Sequence, residues 1–203
     1  GTALIVLFSG LILCWLSGLQ RKFFLYSILA TLVMAPLAWT FVLRDYQKNR
    51  ITVFLGQGDR HKEGYQIEQA RIAIGSGGLW GKGLFNGTQN RLRFLPESRT
   101  DFIFAVLCEE LGLLGAFAII ICYNLLFFRA FLLIRTLKDV YAQLFVSGLL
   151  LHILLATIIN IGMVLGIMPI VGIPLPLMSY GLSNLWITIA CLGGFQNIMI
   201  RCR

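Results

Sequence analysis

The sequence predicts an all-α polytopic membrane protein, and three observations carry that prediction. The chain is 58% hydrophobic and only 13% charged, against roughly a quarter charged in a soluble domain, with a mean hydropathy of +0.81. Its apolar residues fall in five long runs almost free of charge, each near the roughly 20 residues a helix needs to cross a bilayer. Backbone polar groups in lipid must be satisfied inside their own segment, which leaves helices as the spanning elements.

Taken in order, the spans are 3–19, 23–43, 102–128, 144–168 and 185–200. The last is the shortest and requires tilt or local thinning of the bilayer. The chain opens GTALIVLF, with neither the basic flank nor the cleavage site of a signal peptide. It is therefore expected to be a piece of a longer protein, cut just ahead of a helix. Cys14, Cys108, Cys122, Cys191 and Cys202 are scattered, with no C-x-x-C spacing. They suggest neither a disulfide framework nor a zinc site and are read most simply as small apolar core residues.

Charge placement sets the orientation. Arg21, Lys22, Arg129, Arg135, Lys138, Arg201 and Arg203 lie on short connections or the tail, against Asp139 alone. The positive-inside rule makes that side cytoplasmic, C-terminus included. The remaining basic residues lie in the long segment 44–100, together with Asp45, Asp59, Glu63, Glu68 and Glu97. This loop is placed outside. Within it, YQIEQARIAI (65–74) has apolar residues at 67, 70 and 74, the spacing of a short amphipathic helix at the interface. Gly75-Ser76-Gly77-Gly78 is expected to end that helix. LWGKGLFNGTQNRLRF follows as irregular chain with aromatic anchors. A loop of this length without function is uncommon.

A second irregular stretch is MPIVGIPLPLMSYGLSN (168–184), where Pro169, Pro174, Pro176, Gly172 and Gly181 break any helix. Non-helical backbone at membrane depth must be buried in protein or line a wet cavity. With Ser179, Tyr180, Ser183 and Asn184 as polar groups, this segment and the long loop are expected to frame an outward-opening cavity. In the preceding span, His152 and Asn160 are read first as interhelical hydrogen-bonding groups.

The main concentration of ionisable chemistry is RLRFLPESRTDFIFAVLCEELG (91–112). Pro96 sets an extended approach, Ser98 or Thr100 is placed to cap a helix, and Asp101 falls in its first turn, where the dipole favours an acid. Arg91, Arg93 and Arg99 form a cationic rim suited to phosphate oxygens. A carboxylate among cations stays ionised, fit to act as a base or to hold a divalent metal. Glu109 and Glu110 lie about two turns deeper, about 12 Å along the axis, and read as a separate buried structural pair. GSGGLWGKG mimics a phosphate loop but lacks the required first glycine and the Ser or Thr after Lys82. Asn86-Gly87-Thr88 matters as a sequon only in a secretory pathway.

YQIEQARIAIGSGGLWGKGLFNGTQNRLRFLPESRTDFIFAVLCEELG and NIGMVLGIMPIVGIPLPLMSYGLSN resemble the two signature regions of the SEDS family, typified by RodA and FtsW. The GIPLP form, with no lysine before its glycine, is closer to RodA. The resemblance covers essentially the whole chain and implies five of the ten spans of a helical bundle, the C-terminal half. It further implies a peptidoglycan glycosyltransferase polymerising lipid II for cell elongation and shape or for division, in the bacterial cytoplasmic membrane. The implied partners are a class B penicillin-binding protein and other elongation or division complex membrane proteins; no nucleic acid is expected. The family's essential aspartate maps onto Asp101, as base for the acceptor sugar 4-hydroxyl, with a divalent cation (Mg or Mn) at the diphosphate. The α-linked donor and β-linked product need one displacement with inversion. Arg91, Arg93, Arg99, Lys82, Glu97, Ser179, Tyr180 and Ser183 are taken as substrate-binding, and Glu109, Glu110, Asn160 and Pro96 as supporting structure.

Departures from the family pattern are Arg99, where histidine is usual; Leu182-Ser183-Asn184, where Gly-Ser-Ser is usual; and Val171, where a polar residue is usual. A chain of this half alone is expected to be inactive. Two rivals stand beside the polymerase: a transporter of the lipid-linked precursor, and a non-catalytic scaffold for the penicillin-binding partner.

Overall fold

A computed structural model describes residues 2–56, 64–91, 94–95 and 98–201, with 37, 38, 42 and 90 described by backbone alone. The regular elements among the described residues are helices, with no strand: α1 (Thr2–Leu16), α2 (Arg21–Leu37), α3 (Asp45–Phe54), α4 (Tyr65–Gly77), α5 (Thr88–Arg91), α6 (Ile103–Ile134), α7 (Val140–Val164) and α8 (Leu182–Arg201). Pro36 lies in the last turn of α2, and a π-helical turn, Ala38–Val42, follows. A missing amide donor is a common cause of such widening. The helices α6 and α7 are each long and apolar enough to cross a membrane, while α1 is a shorter apolar helix.

Two boundaries differ instructively from the sequence reading. The third predicted span stops at 128, but α6 runs on to Ile134, because Ala130, Leu137, Val146, Leu150 and Met199 form a local core at that end. Arg129 is thus carried within a helix rather than marking its end. The predicted amphipathic helix 65–74 extends through Gly77, and Gly78 makes the reversal with φ 56°. Its apolar face is turned toward protein: Ala70 and Ala73 are fully buried against α6, with Ile67 and Ile74 packed beside them. The loop also contains α3, to which the sequence reading assigned no element, and α5, within the stretch it read as irregular.

The α4–α6 contact is a close approach of backbones. A Cβ on Gly77 would sit 2.1 Å from the carbonyl oxygen of Cys108, so only glycine fits. Small residues at such a crossing bring helices together where lipid offers no hydrophobic drive. The other main contacts join α1 to α7, α7 to α8 and α6 to α7.

The helix α6 is interrupted at Gly112, which has φ 69° and ψ −168°. Continuous α-helix would pair the amides of Leu113 and Leu114 with the carbonyls of Glu109 and Glu110. The loop 78–83 replaces both bonds on both sides. Lys82 N–H donates to Glu109 O at 3.0 Å and Gly83 N–H to Glu110 O at 3.0 Å; Leu113 N–H donates to Gly78 O at 2.9 Å and Leu114 N–H to Leu79 O at 3.3 Å. The loop is threaded through the break, and no backbone group of that quartet is stranded. Gly81 and Gly112 meet at the crossing, where a Cβ on either would lie under 2.5 Å from backbone of the other or its neighbours.

Candidate active site

Three side-chain or backbone donors converge on the short turn Arg99–Asp101. Asn160 Nδ2, from α7, donates to Asp101 O at 2.8 Å and to Ile173 O at 2.7 Å. Ser179 Oγ donates to Thr100 O at 2.6 Å and accepts from Leu175 N–H at 2.7 Å. Tyr180 N–H donates to Arg99 O at 2.9 Å. Three successive carbonyls are therefore held by α7 and the segment 173–180. Behind them, Phe102, Phe104 and Leu175 are buried, and Tyr123 Oη donates to the carbonyl of Pro176.

This lashing corrects the expected cap. Helix α6 begins at Ile103 with Phe102 in the cap position and no side-chain cap bond. Asp101 thus stands in a turn ahead of the helix, because its carbonyl is drawn to Asn160 of α7 and the two before it to the second irregular stretch. The Asp101 carboxylate is half-buried and faces Gly172. A Cβ on Gly172, which has φ 71°, would lie 3.4 Å from Asp101 Oδ2 and 3.8 Å from Arg50 Nη1. Arg50, from α3, also donates to Val171 O at 3.3 Å. Glycine here leaves room for a carboxylate and a guanidinium on one small patch.

The remaining predicted residues separate into groups. Arg91, Arg99, Tyr180 and Ser183 are exposed. Arg93, Pro96 and Glu97 lie outside the described residues. Lys82, read from sequence as a substrate ligand, points the other way. Its Nζ donates to Glu109 Oε1 at 2.7 Å and to Thr88 Oγ1 at 2.8 Å. Ser179 likewise spends its hydroxyl on backbone at both ends, which makes it a brace for the turn.

Glu109 is fully buried. Besides Lys82, its carboxylate accepts from Thr88 N–H at 2.8 Å, Thr88 Oγ1 at 2.8 Å and Gln89 N–H at 3.2 Å. It therefore closes the N-terminus of α5, whose last residue is Arg91. Glu110, also buried, contributes its carbonyl to the loop through Gly83. The sequence reading missed Arg50. The available signal was Asp45 opening DYQKNRITVF, an acid in a first helical turn.

The family profile FTSW_RODA_SPOVE, described as a cell cycle protein, matches residues 1–202. The chain belongs to the FtsW/RodA/SpoVE family. It is 43% identical over 200 residues to peptidoglycan glycosyltransferase MrdB of Escherichia coli K12, covering 98% of this chain and 53% of that protein. It is 42% identical over 168 residues to peptidoglycan glycosyltransferase RodA of Treponema pallidum, covering 82% of this chain and 39% of that one. A probable peptidoglycan glycosyltransferase FtsW of Coxiella burnetii is 37% identical over 202 residues, 98% of this chain and 54% of that one. Among solved structures, one describing structural coordination of polymerization and crosslinking by a peptidoglycan synthase complex superposes with a TM-score of 0.79 at 28% identity. That match covers 98% of this chain and 55% of the solved one. The chain spans about half the length of the relatives it matches.

Proposed function

We propose that the full-length protein is a peptidoglycan glycosyltransferase that polymerises lipid II at the outer face of the bacterial cytoplasmic membrane. On this reading, five helices of this half (α1, α2, α6, α7 and α8) cross the bilayer within a ten-span bundle, with the C-terminus cytoplasmic. The observation that carries it is the convergence of Asn160, Ser179 and Tyr180 on the turn Arg99–Asp101. Such convergence fixes one carboxylate at the mouth of an irregular, glycine-bearing stretch. The names of the family relatives support the chemistry.

In the proposed step, Asp101 takes the proton of the acceptor sugar 4-hydroxyl as that oxygen attacks the anomeric carbon of the donor. The bond to the lipid diphosphate breaks on the opposite face, so an α-linked donor gives a β-linked product in one displacement. Arg99 and Arg91, with Arg50 beside Asp101, meet the charge of the departing diphosphate, for which guanidinium geometry is suited. No group of three or more potential metal-binding side chains occurs among the described residues. The proposed divalent cation would be held by Asp101 and otherwise by substrate phosphate and water, the manner in which Mg is commonly bound. Such a cation would neutralise diphosphate charge. A class B penicillin-binding protein that crosslinks the product is the proposed partner.

The test compares two assays on the purified full-length protein. Glycan polymer formed from labelled lipid II in detergent supports the enzyme. Movement of lipid II across vesicles with no polymer in either setting would instead make the protein a transporter.

A further inference from the structure

We infer that the loop Gly78–Gly87 is a membrane-interface anchor, seating Leu79, Trp80, Leu84 and Phe85 at the boundary between lipid headgroups and acyl chains beside α6. These four side chains are 60%, 82%, 62% and 87% exposed, a contiguous apolar tip of the kind that marks an interaction surface.

Three observations choose lipid as its partner. The first is depth. The uncharged run of α6 is Leu111 to Phe128, bracketed by Glu110 and Arg129, and it extends about 27 Å, close to the roughly 30 Å of a hydrocarbon core. Gly112 therefore stands at the edge of that core, and the four hydrogen bonds across the break fix the loop at the same level. The second is continuity. Leu113 and Leu114, whose amides hold the loop, are themselves 47% and 51% exposed, and Phe117 one turn on is 54% exposed. The tip extends the apolar outer surface of the spanning helix. The third is chemistry. The one charged side chain in the tip, Lys82, is folded inward onto Glu109. The amides of Gly81, Lys82, Gly83 and Asn86 are all bonded to backbone carbonyls. What faces outward is two aliphatic chains, a phenyl ring and an indole, and indole sits preferentially at membrane interfaces.

The loop is held in this presentation by its four backbone hydrogen bonds across the break in α6, with Gly78, Gly81, Gly83 and Phe85 at positive φ. This anchor does not depend on the proposed reaction; it would fix the outer loop to the membrane plane for enzyme or transporter alike.

The test uses the full-length protein, with native cysteines replaced, in lipid nanodiscs. Trp80→Cys and, separately, Leu84→Cys are labelled with a fluorophore and exposed to lipids carrying a doxyl quencher near the headgroup, or to aqueous iodide. Severalfold stronger quenching by the lipid-borne quencher at both positions is expected. Stronger quenching by iodide would overturn the inference in favour of a solvated loop. Weak quenching by both would overturn it in favour of protein cover, from elsewhere in the full-length chain or from a partner.

Discussion

At Glu109 a single buried carboxylate joins a spanning helix, a threaded loop and the N-terminus of α5. Glu109→Ala leaves the Thr88 hydroxyl and the amides of Thr88 and Gln89 without their acceptor and takes from Lys82 its ion-pair partner, with Thr88 Oγ1 still accepting from it. Breaking a buried, hydrogen-bonded charge pair costs about 3 kcal/mol. Lys82→Ala should cost less, because Glu109 keeps its Thr88 and Gln89 donors and the Lys82 side chain is 27% exposed. Thermal unfolding of the full-length variants in detergent checks that order, and equal Tm shifts would contradict it. Asn160 is a positioning residue of another kind, since its amide holds the carbonyls of Asp101 and Ile173. Asn160→Ala is expected to lower kcat by on the order of 10- to 100-fold, the scale of a small misplacement of a reacting group, with KM much less affected. Steady-state lipid II kinetics read that split. Sequence alone marked Asn160 as a polar group in a span and read Glu109 as part of a buried structural pair. It could not show their partners, because those lie far along the chain and are set by where the loop threads.

The broken helix α6 is the element that organises the site. A residue pattern registers Gly112 as one glycine in an apolar run, and a lone glycine within a helical pattern is ordinarily tolerated. The break becomes legible only with the loop in place, since the carbonyls of Glu109 and Glu110 and the amides of Leu113 and Leu114 find substitutes there. Gly112→Ala must adopt a positive φ and place its Cβ 2.3 Å from Gly81 N. The backbone conformation alone, a region populated essentially by glycine, costs about 1–3 kcal/mol, and the collision adds to it. Gly75→Ala, in α4 with open space around it, should instead raise stability by about 0.5–1 kcal/mol. Measuring both by thermal unfolding separates a required glycine from an incidental one; a harmless Gly112→Ala would sink the threaded-loop account. The extension of α6 past 128 was hidden for a related reason: Arg129 looks like a span end in sequence, but the helix is prolonged by packing against α7 and α8.

At the scale of the molecule, apolar run lengths and the two signature regions disclosed the helical class, the family and the carboxylate at the mouth of α6. They did not disclose that α4 turns its apolar face to protein, that Lys82 faces Glu109, or that Arg50 stands near Asp101. Each of those depends on long-range packing across the outer loop. The account rests on one arrangement, in which α7 and the stretch 173–180 hold Arg99–Asp101 so that the Asp101 carboxylate is presented beside Arg50 and Gly172. Its most direct test is lipid II polymerisation by the full-length protein carrying Asp101→Asn, an exchange that keeps the shape and removes the base. The account predicts an unchanged Tm and a loss of glycan polymer on the order of 10²–10⁴-fold, the usual contribution of a positioned general base. Polymer formed at the wild-type rate would contradict it.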